Sequence, residues 1–444
     1  MTECNPQIDL FSIGRRIVTA RFDGETLTSD AGVMFVGAVD KKLGLTKRLS
    51  RTLTDRRSTR RVRHGQRDLL RQRIYQIAAG YEDANDADSL RHDAAFQIAL
   101  DRTPAGGSLA SQPTLSRFEQ RSASELLRMS EVMLDVWVER LRARAKKTHR
   151  KTRIVLDLDS SDFVAHGQQE LALFHGHYRN YIYYPLLAFD AEGWPVAFML
   201  RPGRTRSAGV IAMLGRILER LTFALPSFEL TLRADAGFSS PDLYAFCEAA
   251  NVRYVIGLIT HQKLRENAEP WLVEARHAVE STGRTVRFLR EFDLQWGKGT
   301  PIRRIITKAE VTPIGDNPRF LITNLTDTPE QVYELYTGRG NCENSIKELK
   351  NALRGDRMSC HSFRANQFRL LLHMAAYVLM FTLREQLAGT SLATAQFDTL
   401  RLRLLKIAAS VSVTARRIWL RLSASHPSLD LFRVLGLDLR GSPA

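Results

Sequence analysis

Three acidic residues occupy positions from which their carboxylates could act together on a phosphodiester. Asp159 ends a strand predicted over residues 153–159, Asp235 follows a strand predicted over 228–233, and Glu343 lies in a later helix. Open α/β sheets bind ligands at the carboxyl ends of their strands, so we expect the two aspartates at one sheet edge. Carboxylate oxygens suit Mg²⁺ or Mn²⁺, and two such ions roughly 3.5–4 Å apart can activate a nucleophile and stabilise a leaving oxygen. The pattern therefore predicts two-metal phosphodiester chemistry.

The first of these acids has a close rival. Asp157 lies on the same strand face as Asp159 because side chains alternate along a strand, so the spacing leaves both open. Most of the 48 acidic residues of the chain are expected to be solvated, and an aspartate at a strand end often caps a helix. The interpretation therefore depends on where each acid falls among the predicted elements, not on its residue type.

A second pattern lies in the late helix. Tyr336, Arg339, Glu343 and Lys350 stand at offsets of 0, 3, 7 and 14. At about 100° per residue, these side chains fall within roughly a 60° sector of a helix. Such a stripe makes a poor core face, but it would suit a metal ligand flanked by cations that hold phosphate. The alternative is an exposed stripe of ion pairs, and two nearby glycines weaken the first helical turn.

The elements that must position these residues change in character along the chain. The first third is predicted to be mostly helical, and after about residue 151 three strands precede alternating helices and strands. A first strand, a fourth strand and a late helix are the layout that gathers three carboxylates at one edge of an RNase-H-like sheet. We expect an α/β protein with an RNase-H-like catalytic core interrupted by a β-rich insertion, a mostly helical N-terminal DNA-binding region and a helical C-terminal tail.

This layout divides the chain into five parts. They are a helical DNA-binding region over 1–150, the first part of the core over 151–262, a β-rich insertion over 263–328, the second part of the core over 329–390, and a basic helical region over 391–444.

The charge of the chain points to a polyanionic partner. There are 64 Lys and Arg against 48 Asp and Glu, a net charge of +16, and residues 51–73 hold nine arginines against two acids. Two further basic clusters lie at 142–153 and 401–421. Neutralisation of phosphates drives non-specific nucleic-acid binding, and the guanidinium fork suits phosphate well. The arginines of the first cluster that we expect to contact DNA are Arg56, Arg57, Arg60, Arg61 and Arg63.

Other classes are disfavoured. The longest apolar stretch, 370–383, is broken by His373 and is shorter than the roughly 20 residues of a bilayer span, so no membrane partner is expected. The four cysteines include no CxxC pair, which argues against a disulfide framework or a zinc site and fits a reducing cytoplasm. His175 and His177 have no adjacent Cys or acid, so a local turn is the preferred interpretation there.

The late-helix pattern resembles a known signature. The spacing Tyr-x2-Arg-x3-Glu-x6-Lys is that of the DDE transposases of bacterial insertion sequences in the IS-four-like group, and Tyr336, Arg339, Glu343 and Lys350 match it without a gap. The resemblance covers roughly residues 20–390. Further stretches resemble the IS-thirteen-eighty branch of that group, and these are 27–32, 74–90, 156–162, 233–238, 341–353 and 366–370.

The resemblance implies a mechanism and roles for particular residues. It implies cut-and-paste transposition, with Mg²⁺- or Mn²⁺-dependent cleavage at the terminal inverted repeats and joining of the 3′ ends to target DNA. Asp235 and Glu343 take the second and third places of the catalytic triad. Asp159 fits the first place better than Asp157, because small hydroxyl residues follow it. Tyr336, Arg339 and Lys350 would then hold DNA near the scissile phosphate.

Three further expectations follow. Trp296 is a candidate, by location, for the insertion aromatic that stabilises a flipped base in some relatives. A homodimer that joins two ends, working at the bacterial nucleoid, is the expected assembly. The alternatives are a metal-dependent nuclease with the same core but without strand transfer, and an inactive DNA-binding derivative.

Overall fold

A computed structural model describes residues 7–21, 24–104, 106–148, 151–205 and 208–438 of the chain. The chain divides into two compact units, of which unit 1 comprises 1–118 and 379–444 and unit 2 comprises 119–378. Among the described residues, no helix is long and apolar enough to cross a membrane.

The N-terminal part of unit 1 begins with strands and continues with helices. The strands are β1 (Ile8–Ile13), β2 (Arg16–Ala20) and β3 (Leu27–Thr28). The helices are α1 (Val33–Leu43), α2 (Leu45–Ser50), α3 (Gln66–Ala78), α4 (Asp86–Leu90), α5 (Ala94–Ala99) and α6 (Gln112–Phe118), with a short 3-10 helix at Thr59–Arg61. Helix α3 buries the apolar residues whose spacing predicted it, including Leu70, Ile74 and Ile77.

Unit 2 begins with a long helix and then builds most of a sheet. Its first elements are α7 (Ala123–Thr148), β4 (Thr152–Ser160), β5 (Phe163–Val164), β6 (Leu173–His175), β7 (Asn180–Tyr183), β8 (Leu186–Asp190) and β9 (Pro195–Met199). Next come α8 (Val210–Ala224), β10 (Phe228–Ala234), a 3-10 helix at Ala236–Phe238, α9 (Pro241–Ala249) and β11 (Arg253–Leu258). The sequence predicted three strands before the alternation of helices and strands, but the structure has six. The predicted strand over 181–189 divides between β7 and β8, and β5, β7 and β6 form a separate sheet.

The rest of unit 2 completes the sheet and carries the late helices. Its elements are α10 (Gln262–Thr282), β12 (Val286–Leu294), β13 (Arg303–Thr312), β14 (Gly315–Asp316), β15 (Arg319–Thr323), α11 (Pro329–Thr337), α12 (Gly340–Lys347), a π-helical turn at Glu348–Ala352, and α13 (Phe363–Glu385), whose last residues belong to unit 1. The start of α11 is set by a capping box between Thr328 and Gln331.

The large sheet of unit 2 is mixed. Its strand order is β12-β13-β15-β11-β10-β4-β8-β9, and β14 pairs with β13. Strands β4, β10 and β11 are adjacent and parallel to one another. All other neighbouring pairs of this sheet are antiparallel. In the parallel pair β4–β10, Asp157 lies opposite Arg233 and Leu158 lies opposite Ala234. This register brings the ends of β4 and β10 to the same sheet edge.

The segment 263–328 differs from its prediction at one end. The helix α10 occupies nearly the first third of this segment, where mainly strands and turns were expected. The helix buries Leu264, Ala268, Leu272 and Ala275, an amphipathic stripe that runs past Pro270. The strands that follow extend the large sheet beyond β11 through β15, β13 and β12.

The C-terminal part of unit 1 also differs from its prediction, because it contains strands as well as helices. Its elements are α14 (Phe397–Leu400), a π-helical turn at Arg401–Leu405, β16 (Ala409–Val413), β17 (Ile418–Leu422) and α15 (Leu429–Asp438). Strands β17, β16 and β3 form a small sheet. The alternating burial of Ala409 and Val411 in β16 is a strand pattern, which the basic composition of the region concealed.

Candidate active site

Two of the predicted acids lie at neighbouring strand ends in unit 2. Asp159 is the penultimate residue of β4 and is 8% exposed, and Asp235 follows directly after β10. The Asp159 carboxylate accepts the backbone N–H of Ser160 at 2.8 Å. The Asp235 carboxylate accepts the N–H of Gly237 at 2.9 Å and caps the 3-10 helix. Both acids are thus fixed by local backbone contacts at the edge where parallel strands end.

The rival acid, Asp157, has a different environment. It is 1% exposed, and both its oxygens accept hydrogen bonds from Arg233, at 2.6 Å from Nε and 2.7 Å from Nη2. Its carboxylate is therefore engaged by a guanidinium below the surface of the site, whereas Asp159 lies one pleat nearer the strand end.

The late helix is interrupted within the signature. Helix α11 ends at Thr337, Gly338 and Arg339 continue with helical backbone angles, and α12 begins at Gly340. The Arg339 guanidinium donates from Nη1 to Asp159 Oδ2 at 2.9 Å, and its Nη2 lies 3.8 Å from Glu343 Oε1. Arg339 thus connects the end of β4 with the helix that carries the third acid.

Glu343 is the most accessible of the three acids. Its side chain is 57% exposed, compared with 11% for Asp159. It lies on α12 beside Arg339, and its carboxylate is accessible to solvent.

Lys350 contacts the loop that follows β4. Its ammonium donates to Ser161 Oγ at 3.1 Å, to the Asp162 carbonyl at 3.0 Å and to Asp162 Oδ1 at 3.1 Å. A π-helical turn at Glu348–Ala352 presents the side chain. The residue expected to hold DNA is therefore also an anchor for the chain directly after Asp159.

Tyr336 is buried in the core rather than presented on an exposed stripe. It is 9% exposed and belongs to an apolar cluster with Val255, Leu321 and Val332. Its hydroxyl lies close to the backbone of β11, since a Cβ atom added at Gly257 would be 2.8 Å from it. Tyr336 thus fixes α11 against the sheet beside the site.

The electrostatics of Asp159 reflect its surroundings. Burial raises the pKa of Asp159 from 3.8 to about 6, against the opposing effect of the Arg339 guanidinium and the Ser160 N–H. The nearby carboxylates of Asp235 and Glu343 add to the rise. The three acids are therefore close enough to interact, and together they disfavour the ionised form of the most buried member.

A cleft of about 1490 Å³ opens beside Asp235. Trp296, which is 38% exposed, lines the cleft. The rings that line the cleft with it include His175, His177, Tyr178, Tyr184 and Tyr244.

Sequence reasoning missed this aromatic wall. His175 ends β6 and His177 lies in the turn between β6 and β7, and their rings pack against Tyr178 at centroid distances of 5.0 and 4.9 Å. The signal that could have found the wall is the density of aromatic rings over residues 174–184. The buried Arg201 was also missed, and it donates to Ser160 Oγ at 2.7 Å, next to Asp159.

The basic run of unit 1 is only partly available to a ligand. Arg56, Arg60 and Arg63 are exposed, and the side chain of Arg61 lies outside the described residues. Arg57 is exposed as well, but it forms a bidentate pair with Asp55 at 2.8 and 2.7 Å.

Two arginines of the wider run are structural. Arg71 is 3% exposed and donates to the carbonyls of Ala99 and Leu100, and Arg73 is fully buried and donates to the carbonyls of Glu82 and Asp83. These two do not contribute to an exposed cationic surface, because α3 turns them into the core.

The mixed sheet of unit 2 carries two carboxylates at adjacent strand ends, and Arg339 lies between one of them and the late-helix Glu343. The family model described as Transposase DDE domain group 1 matches residues 11–443. The chain therefore belongs to this family, and the protein is a DDE transposase, an enzyme of DNA transposition and recombination.

Other comparisons are more distant. No curated protein matches the sequence. A cryo-EM structure of the piggyBac transposase synaptic complex with hairpin DNA is 12% identical, with a TM-score of 0.44 over 86% of this chain and 83% of that chain.

DDE transposases generally use divalent metal ions, and the chemistry of the donor set fits such an ion. The candidate ligands are carboxylate oxygens, and a cation beside Asp159 would oppose the effects that raise its pKa. Among the described residues, no group of three or more His, Cys, Asp or Glu is arranged to hold a metal, and Arg339 contacts Asp159 instead.

Proposed function

We propose that the protein is a cut-and-paste transposase of the IS-four-like group, IS-thirteen-eighty branch, that acts on an insertion sequence at the bacterial nucleoid. It would bind the terminal inverted repeats, cleave at the element ends and join the 3′ ends to target DNA. The observation that carries the proposal is the meeting of Asp159, Asp235 and the Arg339–Glu343 segment at one edge of the large sheet.

The strand order supports an RNase-H-like core. Strands β9, β8 and β4 form an antiparallel meander, and β10 and β11 continue the sheet in parallel with β4. Helix α8 connects β9 to β10 and helix α9 connects β10 to β11. In this interpretation β12–β15 belong to the insertion, and α11 and α12 return the chain to the catalytic edge.

The proposed catalytic residues are Asp159, Asp235 and Glu343, which would hold two Mg²⁺ or Mn²⁺ ions. When bound, the ions supply activation of the nucleophile and stabilisation of the leaving oxygen. Asp159 is chosen over Asp157 because Arg233 already occupies both oxygens of Asp157.

The flanking cations orient the site. Arg339 holds the Asp159 carboxylate and brings positive charge to the place where a phosphate would lie. Lys350 fixes the loop that follows β4, so we propose that it positions Asp159 as well as attracting DNA.

DNA binding would use surfaces in both units. The net charge of +16 and the exposed Arg56, Arg60 and Arg63 of unit 1 support an interaction with phosphates. In unit 2, Trp296 and its aromatic neighbours offer rings on which an unpaired base can stack. Because two element ends must be joined, we propose a homodimer as the active assembly.

The test is cleavage of DNA that contains an element end, in the presence of Mg²⁺ or Mn²⁺. Loss of a metal ligand removes several kcal/mol of transition-state stabilisation, so Asp235→Asn and Glu343→Gln should each slow cleavage by at least about a hundredfold. The exposed Asp293 of β12 gives a control, and Asp293→Asn should cleave like the wild type. Retained cleavage in either active-site variant would refute the triad.

The products distinguish the proposal from its alternatives. Joining of a cleaved 3′ end to a second duplex is expected of a transposase and not of a simple nuclease. Binding of end-containing DNA without cleavage under any metal condition would identify an inactive derivative.

A further inference from the structure

A buried ion pair lies directly behind the carboxylates of the site. Arg233 of β10 and Asp157 of β4 form two hydrogen bonds, at 2.6 and 2.7 Å, and their side chains are 6% and 1% exposed. They lie opposite each other in the parallel pair β4–β10. Each stands two residues before a proposed catalytic acid, Asp157 before Asp159 and Arg233 before Asp235. The pair therefore links the two strands one register position before their last pair, Leu158 and Ala234.

The same guanidinium reaches a third segment. Arg233 Nη1 donates to the Leu335 carbonyl of α11 at 2.8 Å. That carbonyl lies four residues before Arg339, which contacts Asp159. One side chain thus joins the strand of Asp159, the strand of Asp235 and the helix that leads to Glu343.

Gly338 shows how closely the helix approaches this guanidinium. A Cβ atom added at Gly338 would be 2.4 Å from Arg233 Nη1, so the guanidinium would have to move. The backbone angles of Gly338, φ −58° and ψ −15°, are ordinary helical values that any residue can adopt. Two residues later, a Cβ atom added at Gly340 would meet nothing within 4 Å.

We propose that Arg233 is a positioning residue for the transposition reaction. It sets the relative placement of the three segments that carry Asp159, Asp235 and Glu343. This inference rests on the proposed function of those acids. The planar fork of arginine meets a carboxylate with two parallel bonds and has a further N–H for the Leu335 carbonyl. A lysine keeps the charge but presents its donors at one point, so it cannot reproduce this geometry.

The experiment uses two glycine variants as a matched pair. Gly338→Ala pushes the Arg233 guanidinium, and Gly340→Ala adds the same methyl group to the same segment without a contact. Three quantities are measured for the full-length protein: the single-turnover rate of end cleavage, the affinity for end DNA without metal, and Mn²⁺ binding followed by electron paramagnetic resonance. Arg233→Lys and Asp157→Asn test the pair directly, and thermal unfolding with far-ultraviolet circular dichroism shows which variants are folded.

The expected result separates positioning from folding. A displacement of the order of 1 Å at a catalytic group costs about a hundredfold in rate, so Gly338→Ala and Arg233→Lys should cleave about 10–100 times more slowly. They should need more Mn²⁺ for half-saturation and bind end DNA within about twofold of the wild type, since Arg233 is buried away from solvent. Gly340→Ala should match the wild type in all three measurements.

Other results overturn the inference. Folded Gly338→Ala and Arg233→Lys proteins with wild-type rates and wild-type Mn²⁺ binding refute the positioning role, as does an equal loss in Gly338→Ala and Gly340→Ala. If Arg233→Lys fails to fold, the cleavage rates and the Mn²⁺ binding of Gly338→Ala and Asp157→Asn are compared with the wild type instead, and wild-type values in both refute the positioning role. A wild-type protein that neither cleaves end DNA nor binds Mn²⁺ refutes the proposed function itself, and the inference falls with it. Wild-type activity with unchanged variants refutes the inference alone.

Discussion

Replacement of Asp159 by asparagine is predicted to change the pH dependence of stability in the metal-free protein. Burial, Asp235 and Glu343 raise the pKa of Asp159 from 3.8 to about 6, although Arg339 opposes the rise. An acid whose pKa is higher in the folded state contributes stability below its unfolded pKa, and this contribution is lost as the pH rises through the folded pKa. The shift of roughly two pKa units corresponds to about 3 kcal/mol.

Asparagine resembles the protonated acid and does not titrate. The free energy of unfolding of Asp159→Asn, relative to the wild type, should therefore increase by about 2.5 kcal/mol between pH 4 and pH 8. Most of the change should fall between pH 4 and pH 6. Because every other titrating group is common to both proteins, the difference isolates residue 159.

Urea unfolding followed by tryptophan fluorescence is the assay. Four of the five tryptophans, Trp137, Trp194, Trp271 and Trp296, belong to unit 2, and a Trp419→Phe background would remove the signal from unit 1. The exposed Asp293 serves as a control for the loss of one charge. A relative stability of Asp159→Asn that is constant from pH 4 to pH 8, or that falls, would show that Asp159 is not a carboxylate destabilised by burial.

Three further predictions concern DNA. The first replaces with glutamine the exposed arginines of unit 1, namely Arg56, Arg60 and Arg63. The slope of log affinity against log salt should become less negative by about 0.9 for each phosphate that is no longer neutralised, in binding titrations at several salt concentrations; an unchanged slope would exclude this run from the interface. Trp296→Ala should lose about 1–3 kcal/mol of affinity for ends with an unpaired nucleotide but not for fully paired ends, and Trp296→Phe should retain most of it. Lys350→Met should slow single-turnover cleavage by about tenfold or more, since the loop after Asp159 loses its anchor, whereas the exposed Lys347→Met should not; equal rates would contradict the anchoring role.

Local patterns predicted most elements of the fold. The strand over 153–159 and the helix that begins after Thr328 lie where apolar periodicity and capping residues indicated. The prediction failed for α10, where Pro270 obscured an amphipathic stripe, and for β16, where basic residues obscured a strand. In both cases the decisive information was burial against another element, which a single segment does not reveal.

The candidate site was predictable in its members but not in its contacts. The signature spacing indicated that Arg339, Glu343 and Lys350 are neighbours. Strand-end position indicated Asp235 and left Asp157 and Asp159 open, and the resemblance favoured Asp159. The helix divides at Gly338 and Arg339, next to the glycines that had indicated a weak turn, and Tyr336 turns into the core. Lys350 contacts Asp162, far away in sequence, because the late helices pack beside the loop that follows β4.

The sequence by itself determined the charge, much of the order of strands and helices, and the residues able to do chemistry, since these depend on composition and on spacing within short segments. Only the tertiary structure decided how those residues divide their roles. It turned Arg71 and Arg73 of the basic run inward, engaged Asp157 with Arg233 and left Asp159 at the strand end, and gathered the aromatic wall beside Asp235. The physical reason is that burial and pairing arise between segments distant in the chain, and these contacts determine which charged groups remain available to a ligand.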